Sequence, residues 1–242
     1  MAVPILMEWV LLITISTPAA LANRAICRRN PRLALTLWFT AFLSAGIAAA
    51  AALGISVWVV FETWLSLNHN TAGSLQWFEA LAVSFLPWLF LALGGIAMAL
   101  ASQRLTPELS AAKNLSATLS QGLRPTDEFA GYSVAILEVP VLVAFTTRLK
   151  RKPLIVISRA ATQMLTQSEV EAVLWHEVGH IRGRHNALRR IANLVCTLAP
   201  FVPASEFLRQ EVFQLTELEA DRWALTKCQP SALGAAKSRF DF

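Results

Sequence analysis

No lysine or arginine occurs between Arg32 and Arg104, and the only carboxylates in that gap are Glu62 and Glu79. A stretch this long and this poor in charge cannot build a water-facing surface. Within it, Ala34 to Phe61 and Leu75 to Ala101 are each long enough to cross a bilayer, and a further apolar stretch, Pro4 to Ala22, precedes them. Three membrane-spanning helices are therefore expected. The composition agrees, with 55% hydrophobic and 15% charged residues and a mean hydropathy of +0.49. The link between the first two spans carries Arg24, Arg28, Arg29 and Arg32, whereas the link from Glu62 to Gln76 carries no basic residue. By the positive-inside rule the N-terminus lies outside, and everything after the third span lies in the cytoplasm. Ala20-Leu21-Ala22 offers a signal-peptidase-like site, but the missing basic n-region favours a retained anchor. Trp58, Trp64, Trp77 and Trp88 fit interfacial anchors, and the alanine-rich run Ser44 to Gly54 fits either close helix packing or plain span filler.

Past Arg104 the character changes. Residues 103–131 read as a cytoplasmic linker, with an amphipathic helix over Thr106 to Leu119 and a loop over Gly122 to Thr126. From residue 132 short β-branched runs follow: Ser133 to Leu137, Val141 to Thr146 and Leu154 to Ser158. The last two form a hairpin over the basic turn Arg148 to Lys152. Thr166 and Ser168 each precede a glutamate by three positions, the capping-box pattern of a helix start. That helix carries His176-Glu177-Val178-Gly179-His180. Positions 176 and 180 are one turn apart on one face, so two imidazoles reach one metal, and Glu177 stands beside them as base for a metal-bound water.

Catalytic zinc needs a third protein ligand. His185, five positions past His180, is about 140° around the helix and is expected to face away from the pair. Downstream, Glu217 and Asp221 are four apart and share a face, with Glu219 roughly opposite. Glu217 is the expected third ligand, and Asp221 the acceptor of a hydrogen bond from a ligating imidazole. Arg222 and His185 are the candidates for stabilising the oxyanion.

H-E-V-G-H followed by E-L-E-A-D-R-W-A resembles the gluzincin membrane peptidases, and Val139 to Phe145 with Lys152 to Ser158 resembles the strands that precede their active helix. With three preceding spans, the chain looks most like BlaR/MecR-type antirepressor metallopeptidases. The HtpX/Ste-type membrane proteases share both motifs, and His180-Ile-Arg-Gly-Arg-His185 is closer to their pattern. The first resemblance implies a signal transducer that cleaves a cytosolic DNA-binding repressor. The second implies quality control or processing of membrane proteins. A catalytically silent membrane adaptor is the third reading, against which the intact Glu177 speaks.

The expected architecture is an α-helical integral membrane protein of three N-terminal transmembrane helices (residues 1–102). It is joined by residues 103–131 to an α+β zincin-like metallopeptidase domain (residues 132–242). The cofactor is Zn2+, held by His176, His180 and Glu217, with Glu177 catalytic and Asp221 behind the ligands. The partners are the lipid bilayer and a polypeptide substrate. Ile191 to Pro203 is too short to cross, so it is core, interfacial or re-entrant. Arg182, Arg184, Arg189 and Arg190 read as contacts to lipid headgroups in preference to nucleic acid. Three cysteines give no disulfide framework.

Overall fold

The computed structural model describes residues 2–21, 29–69, 89, 96, 123–149, 152–199 and 202–240. The chain divides into two units, one of Met1–Cys27, Leu33–Thr106 and Leu194–Leu208, the other of Arg28–Arg32, Pro107–Asn193 and Arg209–Phe242.

In the first unit, α1 (Ala2–Leu21) and most of α2 (Pro31–His69) are long apolar helices. Pro31 opens α2 because a fixed φ and a missing N–H suit the first helical position. Among the described residues, Pro31–Val59 is the one helix long and apolar enough to cross a membrane, and the apolar part of α1 is the shorter Glu8–Thr17. The first two expected spans thus fall on helices. The third, Leu75 to Ala101, lies outside the described residues except for Leu89 and Ile96, as does the expected amphipathic helix Thr106 to Leu119. Along α2, Ala45, Ala48 and Ala52 are buried while Leu43, Ile47 and Val57 are exposed. The alanines, not the glycines, make the packed face: a Cβ on Gly46 or Gly54 meets nothing within 4 Å.

The second unit is built on a four-stranded sheet in the order β1-β2-β4-β3, formed by β1 (Pro125–Phe129), β2 (Tyr132–Leu137), β3 (Ala144–Leu149) and β4 (Lys152–Ser158). β2 and β4 are parallel; the outer pairs are antiparallel. β4 is covered on both faces, hence its unbroken Leu-Ile-Val-Ile run. Ile155 and Ile157 pack with Val134, Val173 and Val178, whereas Leu154 and Val156 pack with Leu123 and Ala135.

Two sequence expectations change here. The loop expected over Gly122 to Thr126 runs into strand β1, which turns into β2 through Ala130 and Gly131, both at positive φ (51° and 81°). That pair of backbone angles is what a two-residue type I′ hairpin requires. Both ends of the expected basic turn Arg148 to Lys152 also belong to strands, because Arg148 and Leu149 extend β3 while Lys152 and Pro153 begin β4, and its middle lies outside the described residues. Pro153 has no N–H to give, and it lies opposite Arg148 next to the turn.

After β4 come α3 (Arg159–Met164), α4 (Gln167–Arg182), α5 (His185–Leu198), α6 (Pro203–Leu225) and α7 (Pro230–Arg239). Of the two candidate capping boxes, Thr166 with Glu169 is the one formed: the Thr166 hydroxyl accepts from the Glu169 N–H, and the Glu169 carboxylate accepts from the Thr166 N–H. Ile191 to Pro203 is not one element; its described residues include the end of α5 and the first residue of α6.

Candidate metal centre

α4 buries all of His176, Glu177, Val178, Gly179 and His180. Helix α6 comes close to α4 at Gly179, where an added Cβ would sit 2.9 Å from Ala220 Cα and 3.1 Å from its carbonyl oxygen. Glycine at 179 lets the two backbones meet. The meeting point sets Glu217 and Asp221, one turn apart on α6, against His176 and His180.

The donor atoms converge. His176 Nε2 is 3.1 Å from His180 Nε2. Glu217 places Oε2 3.2 Å from His176 Nε2 and Oε1 3.5 Å from His180 Nε2. Ligands on a tetrahedral zinc at bond lengths near 2.0–2.1 Å are separated by about 3.3 Å, and the two imidazole nitrogens lie near that spacing from each other and each from a different oxygen of the Glu217 carboxylate. The donor set also suits zinc chemically: two imidazoles and a carboxylate, with the fourth position left over. The set His176, His180 and Glu217 could hold a metal ion.

Behind the first histidine, Asp221 Oδ1 lies 2.9 Å from His176 Nδ1, and Lys237 of α7 donates to the other Asp221 oxygen at 2.6 Å. Behind the second, His180 Nδ1 is 2.9 Å from His185 Nδ1, and His185 Nε2 is 3.3 Å from Glu219 Oε2. Glu219 in turn accepts from Arg32 Nε. Glu217 accepts from Arg189, whose Nε also donates to Thr216 at 2.9 Å.

The electrostatics follow from burial and these neighbours. Burial pulls the His176 imidazole down, but Asp221 and Glu217 beside it outweigh this and hold it up at about 9. A metal binding there has to displace that proton. Burial draws His180 down to about 4, so its ring is neutral at pH 7. Burial also pushes the Glu177 carboxyl up to about 7. Glu217 moves the other way: burial raises it, but hydrogen bonds from His176, His180 and Arg189 together hold it far below the usual carboxylate range. Asp221 is held low against its own burial by His176 and Lys237.

Each residue expected from sequence has a definite place. His176, His180 and Glu217 come together, Asp221 stands behind His176, and Glu177 is buried beside a small cavity also lined by Val173, Leu233, Lys237 and Phe240. The expectation for His185 is corrected. α4 ends at Arg182, and with Arg184 at φ 53° the chain starts a new helix at His185, folding that ring back onto His180. A ring with no exposed surface, set behind a ligating imidazole, has no access to an oxyanion. Arg222, the other oxyanion candidate, donates to the Arg29 carbonyl at 2.8 Å. Sequence reasoning missed Arg189, Glu219 and Lys237 as neighbours of the centre. Only Glu219 left a signal, an unexplained acid between Glu217 and Asp221.

Two buried histidines and a carboxylate, with a glutamate following the first histidine, have the residue types and spacing of the H-E-x-x-H metallopeptidase sites. Residues 124–236 match the model of Peptidase family M48, so this stretch of the chain is similar to the M48 peptidases. It is 32% identical over 106 residues to the plastoglobule-localized metallopeptidase 48 of Arabidopsis thaliana, covering 42% of this chain and 30% of that protein. Against a protease HtpX homolog of Moorella thermoacetica it is 32% identical over 107 residues, 44% of this chain and 33% of the relative. With protease HtpX homolog 2 of Methanosarcina acetivorans it shares 34% identity over 70 residues, 28% and 24% of the two chains. The matched stretches span a third or less of the length of these curated relatives.

Proposed function

We propose that the chain is a membrane-held, zinc-dependent metalloendopeptidase whose active centre faces the cytoplasm. The observation that carries the hydrolase reading is the convergence of His176, His180 and Glu217 at zinc-ligand spacing with Glu177 buried beside them. A bound zinc supplies Lewis acidity, polarising the scissile carbonyl and acidifying water. Glu177 takes the proton of the attacking water and delivers it to the leaving amine; burial, by lifting its carboxyl to about 7, suits it to both transfers near neutral pH. His180 holds its lone pair toward the shared point because its Nδ1 is hydrogen-bonded behind it, and the Asp221 carboxylate stands 2.9 Å behind His176 Nδ1.

An extended substrate fits along β3, the sheet edge nearest the centre. Thr146, Thr147 and Arg148 of that edge line one groove with His180, Ile181 and Asn186. Main-chain pairing to an edge strand holds polypeptide backbone with little regard to sequence. Asn186 already donates to the Thr146 carbonyl at 3.1 Å, so a pairing substrate displaces that contact or stops short of it.

Membrane attachment rests on the three apolar stretches, of which Pro31–Val59 is a long apolar helix. Two substrate classes follow from the two resemblances, a cytosolic repressor or membrane proteins; the similarity to two HtpX homologs favours the second. The test compares wild type with Glu177→Gln. The variant is expected to keep its zinc and to lose about 10²- to 10⁴-fold of peptide hydrolysis. Undiminished turnover would refute the assigned mechanism. Proteome-wide profiling of new N-termini in cells then separates the substrates: one repressor fragment marks a transducer, many membrane-protein fragments mark quality control. Zinc binding with identical profiles at rest and under envelope stress marks a silent adaptor.

A further inference from the structure

We propose that His185, Glu219 and Arg32 form a positioning relay that fixes the ring of His180 with Nε2 turned to the metal, an inference that rests on the zinc reading above. The proton accounting allows one arrangement. A ring that ligates through Nε2 carries its proton on Nδ1. His180 Nδ1 therefore donates, and its partner at 2.9 Å, His185 Nδ1, accepts. A neutral imidazole that accepts on Nδ1 carries its own proton on Nε2. That N–H faces Glu219 Oε2 at 3.3 Å, and the other Glu219 oxygen accepts from Arg32 Nε. Only one tautomer of each histidine completes the chain. His176 meets its carboxylate, Asp221, directly; His180 reaches its own through a second imidazole.

The backbone is shaped around this contact. Arg184 adopts φ 53°, a conformation L side chains rarely take, and that turn brings His185 back under the end of α4. Gly183 makes the room: a Cβ there would stand 2.0 Å from His185 Nε2 and 2.4 Å from Cδ2. Burying an imidazole completely is unfavourable unless its nitrogens are partnered, and here both are. The relay ends on Arg32, in the first turn of α2.

The experiment measures zinc affinity of the full chain in detergent by competition with a fluorescent chelator, alongside the melting temperature of the metal-free protein. Gly183→Ala is the most pointed variant. Its backbone, at φ −72°, accepts alanine, but the new methyl group displaces the His185 ring. Gly183→Ala, His185→Leu and Glu219→Leu are each expected to weaken zinc binding about 10- to 100-fold. Glu219→Gln and His185→Gln keep an acceptor or a donor–acceptor pair in place and are expected to recover most of that loss. With Co(II) as the probe, the weakened variants should also shift the visible absorption of the bound ion. Wild-type affinity in Gly183→Ala and Glu219→Leu overturns the relay and leaves the zinc reading standing. Equal losses in the Leu and Gln variants that track the metal-free melting temperature overturn it too, because packing would then be the cause. A wild-type chain that binds no zinc overturns both.

Discussion

Gly179 and Gly234 are both helical glycines, yet alanine at the two positions should act in opposite directions. In a helix interior alanine is better than glycine by about 1 kcal/mol. At Gly234 on α7 a Cβ meets nothing within 4 Å, so that gain is realised in full. At Gly179 the Cβ meets the backbone of Ala220, which cannot swing aside as a side-chain tip can. Forcing atoms into a packed contact costs about 1–3 kcal/mol, enough to cancel or reverse the gain. Relief comes by parting α4 from α6, which carries Glu217 away from the histidines. Thermal unfolding should therefore show Gly234→Ala raised and Gly179→Ala unchanged or lowered, with zinc affinity reduced only in the latter. A rise in both would show that the close approach is not a constraint. At this scale the sequence made His176, Glu177, His180, Glu217 and Asp221 legible because each depends on the phase of one uninterrupted helix. It hid His185 because the same phase, extended past Gly183 and Arg184, points it the wrong way. The glycine two residues before that histidine was a usable stop signal. Arg189 and Lys237 reach the centre only through packing between elements, which no local pattern encodes.

The elements that position the site were legible in proportion to how strongly their own residues specify them. Strands β2 and β4 were recognisable from β-branched runs and β3 only in part, its run expected over Val141 to Thr146 and the strand being Ala144–Leu149, whereas β1, Pro-Thr-Asp-Glu-Phe, is almost wholly exposed and shows no apolar alternation. Helix α4 announced itself by its cap, and the cap is testable. Glu169 is held below the usual carboxylate range by the Thr166 N–H first, then by the Thr166 hydroxyl. A carboxylate with a depressed folded pKa stabilises the fold above its unfolded value, about 4.3, and loses that contribution as pH falls through the folded value. Glu169→Gln should therefore lower the melting temperature of the detergent-solubilised protein at pH 7, with the gap to wild type closing towards pH 3. A gap of the same size at both pH values would mean that the charge contributes nothing. Thr166→Ala removes the reciprocal hydroxyl contact and should cost about 1 kcal/mol at neutral pH.

For the whole chain the decisive quantity is where its charge lies. Its net charge is +5, and four arginines cluster at 24, 28, 29 and 32, ahead of an apolar stretch with no basic residue until Arg104. If the positive-inside rule governs, the Arg cluster and the domain with the candidate metal centre share the cytoplasmic side, and the link from Glu62 to Gln76 lies outside. Only an odd number of crossings between that link and the domain allows this, and Leu75 to Ala101 is the stretch that must make it. Single-cysteine labelling decides the point, with Cys27, Cys196 and Cys228 replaced by serine. A membrane-impermeant maleimide added to intact cells should label Ser74→Cys in the link. It should label Ser238→Cys, on an exposed position of α7, only after permeabilisation. The reverse pattern would put the centre outside and remove any cytosolic repressor from the list of substrates. Labelling of both sites only after permeabilisation would place link and domain on one side, and Leu75 to Ala101 could then not be a single span.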